Sequence, residues 1–157
     1  MITASLNELK QELKTIPPQL VLELCIKLAK YKKENKELLT YLLFEAADEP
    51  TYIIGVKEMI DEQFLDLNRS NLYLAKKTFR KVLRTTKKYI KYSQSKSTEV
   101  ELLLYYCLKV KQSGVRFRSY PVLSNLYDRQ IEKIEKSIAA LHEDLQYDFL
   151  EELKLLT

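Results

Sequence analysis

Glycine and proline punctuate a chain, and this one has almost none: two glycines and four prolines in 157 residues. A sheet protein of this length would need many more turns built on glycine's positive φ or proline's fixed φ. The scarcity therefore predicts long helices joined by short links, an all-α protein. Hydrophobic residues make up 46% and charged residues 31%, which suits a well-packed, charge-rich domain. A chain this long buries roughly 70% of its unfolded surface, so it needs no covalent staple.

Cys25 and Cys107 lie far apart within apolar helical stretches. Each reads as a small buried core residue, and two isolated cysteines fit a reducing compartment. Met1–Leu13 alternates polar and apolar residues and lacks the apolar segment of a signal peptide. Apolar runs such as Leu102–Leu108 fall far short of the roughly 20 residues a membrane helix needs. The expectation is a cytoplasmic protein without a membrane partner.

Helix signals divide the chain. Ser5 and Glu8 form the S-x-x-E capping box of a first helix carrying Leu6, Leu9 and Leu13, which Pro17 and Pro18 stop. A second helix is expected from about 18 to 32. A third follows from an Asn35 cap to about Ala47, with Leu38, Leu39, Leu42 and Leu43 apolar. Asp48-Glu49-Pro50 opens a fourth, from about Thr51 to Asn68, because proline and acids suit a first helical turn. Ser70 or Asn71 caps a fifth that reaches about Tyr92. Thr98 and Glu101 read as a second capping box, opening a sixth through about Gln112. After a loop at 113–121, a last helix runs nearly to Thr157. Its Ile131, Ile134, Ile138, Leu141 and Leu145 keep a 3-4-3-4 spacing, a seam that packs inside the chain or joins a homodimer through residues 131–145.

One internal similarity is visible. Residues 26–41 match residues 90–105 at Ile26/Ile90, Lys27/Lys91, Lys32/Lys96, Glu37/Glu101, Leu38/Leu102, Leu39/Leu103 and Tyr41/Tyr105. Both read as helix, polar link, helix, so the match suggests a weakly repeated hairpin.

Charge is distributed unevenly. Net charge is +4 overall, but residues 67–127 carry +12 and the flanking segments carry −4 each. Between Asn68 and Lys96 there is no acid and ten basic residues. On the fifth helix Lys76, Lys77, Arg80, Lys81, Arg84, Lys87, Lys88 and Lys91 form a double cationic row opposite Leu72, Ala75, Phe79, Val82, Leu83, Thr86 and Ile90. Like charges four residues apart repel by a few tenths of a kcal/mol per pair, so something must offset them. Internal candidates are Glu58, Asp61, Glu62 and Asp66 on the fourth helix, or Glu143, Asp144 and Asp148 on the last. The external alternatives are an acidic protein or phosphates. Tyr73, Tyr89 and Tyr92, with Arg116 and Arg118 in the next loop, would offer stacking surfaces to single-stranded nucleic acid. Among the other tyrosines, Tyr31, Tyr41, Tyr105, Tyr106 and Tyr147 read as edge-of-core residues with wet hydroxyls.

Catalytic chemistry finds little to work with. His142 is the only histidine; position 139 is alanine, which breaks the Glu-x-x-His pattern of a di-iron bundle. Two distant cysteines and one histidine make no zinc site, and two glycines build no phosphate loop. No catalytic residue, metal or cofactor is therefore assigned. The expectation is a single all-helical domain over 1–157 of six or seven antiparallel helices, arranged as a short α-α superhelix-like array of hairpins or as a compact bundle. Its expected role is a non-enzymatic interaction module. The basic face, with Arg116 and Arg118, holds an acidic protein partner or, alternatively, RNA or single-stranded DNA.

Overall fold

The computed structural model describes residues 1–157, and it is all-helical, with eight α-helices and no strand. The chain divides into two compact units, Met1–Phe44 and Glu45–Thr157. No helix is long and apolar enough to cross a membrane.

The first unit holds α1 (Leu6–Thr15), α2 (Pro18–Tyr31) and α3 (Lys33–Thr40), followed by a π-helical turn over Tyr41–Glu45. The capping box at the start of α1 forms as expected. The Glu8 amide donates to Ser5 Oγ at 3.3 Å, and the Ser5 amide donates to Glu8 Oε2 at 2.7 Å. Asn35 does not cap α3. Only Lys32 separates α2 from α3, so the open carbonyls at the end of α2 lie within reach of α3's first turn. Asn35 Nδ2 donates to the Leu28 carbonyl at 2.8 Å and closes α2 instead. Cys25, expected in the core, is exposed, because α2 packs mainly against the short α3.

The second unit contains α4 (Glu49–Leu65), α5 (Leu72–Ser93), α6 (Lys96–Gln112), a 3-10 turn at Phe117–Ser119, α7 (Pro121–Ile138) and α8 (Glu143–Lys154). Its centre is α6, which packs on α4, α5, α7 and α8. These contacts join helices one or two positions apart in the chain, a pattern that a short hairpin array and a compact bundle share. The central place follows from composition: α6 buries Val100, Leu102, Leu103, Leu104, Tyr106, Cys107 and Val110, which cover about 200° of its circumference.

Caps place the helices around it. Asp48 accepts from the Thr51 amide and hydroxyl at 3.2 and 2.6 Å. Of the two candidates at the start of α5, Asn71 is the cap, accepting from the Leu74 amide at 3.1 Å. The capping box expected at Thr98 and Glu101 does not form, because α6 begins earlier, at Ser95, whose Oγ accepts from the Thr98 amide at 3.3 Å. Thr98 is buried and donates to Glu49 Oε1 at 2.6 Å, while Glu101 binds Lys57 at 2.6 Å.

The last helix is not continuous. It breaks at Ala139–His142, and His142 caps α8. A single helix from Pro121 to Thr157 would be about 55 Å long and would overrun a bundle of 17- to 22-residue helices. Breaking lets Phe149, Leu153 and Leu156 return to the core. The Tyr127 hydroxyl secures the end by donating to the Leu156 carbonyl at 3.0 Å. The isoleucine seam is consequently spent inside the bundle: Ile131, Ile134 and Ile138 are buried, and Leu145 points outward on a different helix.

The tyrosines split. Tyr106 is fully buried and donates to the Phe79 carbonyl at 3.1 Å, and Tyr41 is buried. Tyr105 is the half-buried kind expected, but its hydroxyl bonds Asp61. Tyr31 and Tyr147 are exposed rather than at a core edge. Segments 26–41 and 90–105 both run helix, link, helix, but Leu38 and Leu39 are half-buried where Leu102 and Leu103 are fully buried.

Candidate functional site

The cationic face is the outer side of α5. At 100° per residue all eight of its cations fall within an arc of about 140°, opposite the buried Ala75, Phe79, Val82, Leu83, Thr86 and Ile90. The row from Lys76 to Lys91 runs about 22 Å. Lys77, Arg80, Lys81, Arg84, Lys87 and Lys91 are exposed, and Lys76 and Lys88 are half-buried.

The internal acids do not balance this row. Asp61 is committed to α6, where it binds Lys109 at 2.7 Å and accepts from the Tyr105 hydroxyl at 2.7 and 2.8 Å. Glu58, Glu62 and Asp66 are exposed and form no ion pair, and in α8 Asp144 is exposed beside His142, whose Nδ1 accepts from the Asp144 amide at 3.4 Å. No carboxylate comes within ion-pair distance of Lys76, Lys77, Arg80, Lys81, Arg84 or Lys91. Glu99 is a carboxylate that acts on the row, and it is shared. Glu99 lies 2.9 Å from Lys96 and 3.2 Å from Lys133, and accepts from Ser137 at 2.8 Å. Burial works to raise the Glu99 pKa, but those three donors outweigh it and the net shift is downward. Lys87 is exposed as a residue but partly buried at its charged end, and it is pushed below the usual lysine range first by that partial burial and then by Lys133, with Glu99 only partly opposing. This junction of α5, α6 and α7 was not foreseen, since Lys133 is remote in sequence and lies among acids.

The aromatic residues of α5 are mostly used internally. Tyr92 is buried, and Tyr89 meets Tyr52 and Tyr92 edge-on at 6.5 and 5.6 Å between centroids. Tyr73 alone is open, 60% exposed, with Lys76 and Lys77 ammonium groups 5.6 and 5.3 Å from its ring centre. Lys88 covers the Tyr89 ring at 4.7 Å.

The two loop arginines differ. Arg116 is exposed and unpaired. Arg118 is neutralised by Asp128 and stacks 5.3 Å from the Phe117 ring and 4.7 Å from the Tyr127 ring. Arg69, at the start of the acid-free run, ties the bundle instead: its Nε donates to the Ser113 carbonyl at 2.8 Å.

Elsewhere the groups with catalytic potential are dispersed. His142 is exposed at the start of α8. Burial pushes the Cys107 thiol up to about 12, so it is not a nucleophile at neutral pH. No three metal-ligating side chains gather. Comparison with protein-family models, curated proteins and solved structures finds no match.

Proposed function

We propose that this chain is a non-enzymatic interaction module whose α5 face holds an acidic protein partner. The observation that carries this reading is the row of six cations, Lys76, Lys77, Arg80, Lys81, Arg84 and Lys91, with no carboxylate within ion-pair distance. Arginines at two central positions favour bidentate capture of carboxylates. A row of about 22 Å suits an acidic helix of about four turns or an extended acidic segment of about seven residues. Arg116 is available to extend the face; Arg118 is not, because Asp128 already occupies it.

Single-stranded nucleic acid is the second reading, on the strength of the same charge. Such binders stack successive bases on aromatic rings along a basic track. Burial of Tyr92 and packing of Tyr89 leave Tyr73 as the one open ring on α5, which favours the protein partner.

The test is titration of fluorescent ligands with the full chain and with Arg80→Glu/Arg84→Glu. A glutamate-rich peptide should bind the native chain and lose affinity at least tenfold to the variant, with helical circular dichroism unchanged. Equal capture by both chains refutes the reading. Single-stranded DNA that binds more tightly than the peptide, with affinity falling steeply between about 50 and 200 mM salt, moves the assignment to nucleic acid.

A further inference from the structure

The first unit leaves its apolar surface open. None of α1, α2 or α3 contains a buried residue. Twelve large apolar side chains between Leu6 and Phe44 are between 37% and 87% exposed. Helices of 10, 14 and 8 residues are marginal alone in water and depend on packing of an apolar face. On α2, apolar residues cover about 240° of the circumference, from Leu20 through Val21 and Cys25 to Ile26. Packing with α3 half-buries only Val21 and Ala29. One flank, with Leu20, Leu24 and Leu28, remains uncovered, as does the other, with Leu22 and Ile26.

Beside Ile26 the structure holds an open groove of about 580 Å³. Its floor is Ile26, Ala29, Leu39, Leu43 and Phe44, and lysines line its rim. Lys30, Lys32 and Lys36 on that rim have no ion-pair partner, while Lys33 is 3.7 Å from Glu37.

A complementary element lies in the same sequence. Helix α1 carries Leu6, Leu9 and Leu13 in one stripe, with Glu8 and Glu12 along one flank and Lys10 and Lys14 along the other. Every residue of α1 is exposed. Its leucine stripe fits an apolar floor, and its acidic flank fits a lysine rim.

We propose that the first unit is a homodimerisation device in which α1 of each copy enters the groove of the other. The exchange is isologous, so it closes at two copies. The area supports a second copy as the occupant. A fully exposed large apolar side chain presents on the order of 100 Å², so twelve that are a little over half exposed offer roughly 600 Å². A standard interface buries about 800 Å² per partner, about 65% of it apolar in homodimers, or roughly 500 Å². The six of these that belong to α1 and the groove, Leu6, Leu9, Leu13, Ile26, Leu43 and Phe44, offer roughly 360 Å², so the dimer must also cover part of the open flanks of α2.

Light scattering coupled to size exclusion, on the full chain at micromolar concentration, tests this directly. The native chain should run at twice the 18.6 kDa of one copy. Leu9→Asp/Leu13→Asp in α1 and Ile26→Asp/Phe44→Asp in the groove should each give monomers. All four side chains are exposed in the single chain, so helical circular dichroism should be kept. Mixing the two monomeric variants should restore a dimer with one intact exchange and at least tenfold weaker association. A monomeric native chain overturns the proposal. A dimer that survives either variant also overturns it, since the contact then lies elsewhere. Failure to restore a dimer on mixing removes α1 as the occupant.

Discussion

Replacing Arg84 with glutamate should make the protein more stable. Arg84 stands on α5 with Arg80 and Lys81 one turn before it and Lys87 and Lys88 one turn after. Each like-charged neighbour three or four residues away costs a few tenths of a kcal/mol, and an opposite charge gains a similar amount. Reversal acts on four such pairs. Solvent screening and the commitment of Lys88 to the Tyr89 ring reduce the total, leaving about 1–2 kcal/mol of stabilisation at low salt. For a chain of this size that is about 3–6 °C in melting temperature. The measurement is thermal unfolding by circular dichroism in about 10 mM and about 1 M salt, where the Debye length shrinks from about 30 to 3 Å. The native protein should gain on the variant as salt rises, and the difference should nearly vanish. A variant that is less stable at low salt would refute the reasoning, because Arg84 would then have a carboxylate inside the fold. A gain that persists in 1 M salt would refute the electrostatic cause.

Arg118→Ala should cost about 1–2 kcal/mol in urea unfolding, through loss of the Asp128 bond and of stacking on Phe117 and Tyr127. It should leave capture of the acidic peptide unchanged. Phe79→Ala, at a fully buried site facing Phe64 at 5.9 Å between ring centres, should cost about 3–5 kcal/mol. Alkali should unfold the second unit. Burial raises Cys107 from 9.0 to about 12, and burial raises Tyr105 and Tyr127 from 10.0 to about 12, with Asp61 adding to the shift at Tyr105. Folded pKa values above unfolded ones mean that the unfolded chain loses protons first. Stability is therefore complete below pH 9 and falls as pH rises toward 12. Urea midpoints measured from pH 8 to 11 check this, and a flat profile would contradict it.

Local chemistry made much of this fold legible. Scarce turn residues announced the all-α class, and Ser5 and Asn71 marked helix starts because a cap acts within three residues of itself, while Asp48-Glu49-Pro50 marked the boundary before α4 without showing that Asp48 is its cap. The double row on α5 was equally legible, since helical periodicity alone decides which residues share its outer side. What failed was non-local. No glycine or proline marks the break at Ala139–His142, which exists because the bundle is shorter than the helix that would overrun it. Thr98 and Glu101 have the spacing of a capping box, but tertiary partners Glu49 and Lys57 claim both side chains. The charge balance of the site was similarly hidden. Glu58, Asp61 and Glu62 of α4, and Asp66 just past its end, lay within sequence reach of α5, yet rotation of α4 gives Asp61 to α6 and leaves Glu58, Glu62 and Asp66 in solvent.

Dimerisation through the first unit would bear on the work of α5, because a dimer carries two cationic faces. On a surface displaying many acidic segments, the second face binds at an effective concentration set by its tether rather than by bulk protein. Avidity can then exceed single-face affinity about 10²-fold or more with no new contact. Leu9→Asp/Leu13→Asp lies far in sequence from α5, so it should not alter binding of a free glutamate-rich peptide. The same variant should dissociate about 10²-fold faster from beads coated with that peptide. Arg80→Glu/Arg84→Glu should instead lose both signals while remaining a dimer. Equal dissociation of native chain and α1 variant from the beads would show that the two faces act singly. Loss of free-peptide binding in the α1 variant would show that α1, and not only α5, touches the partner.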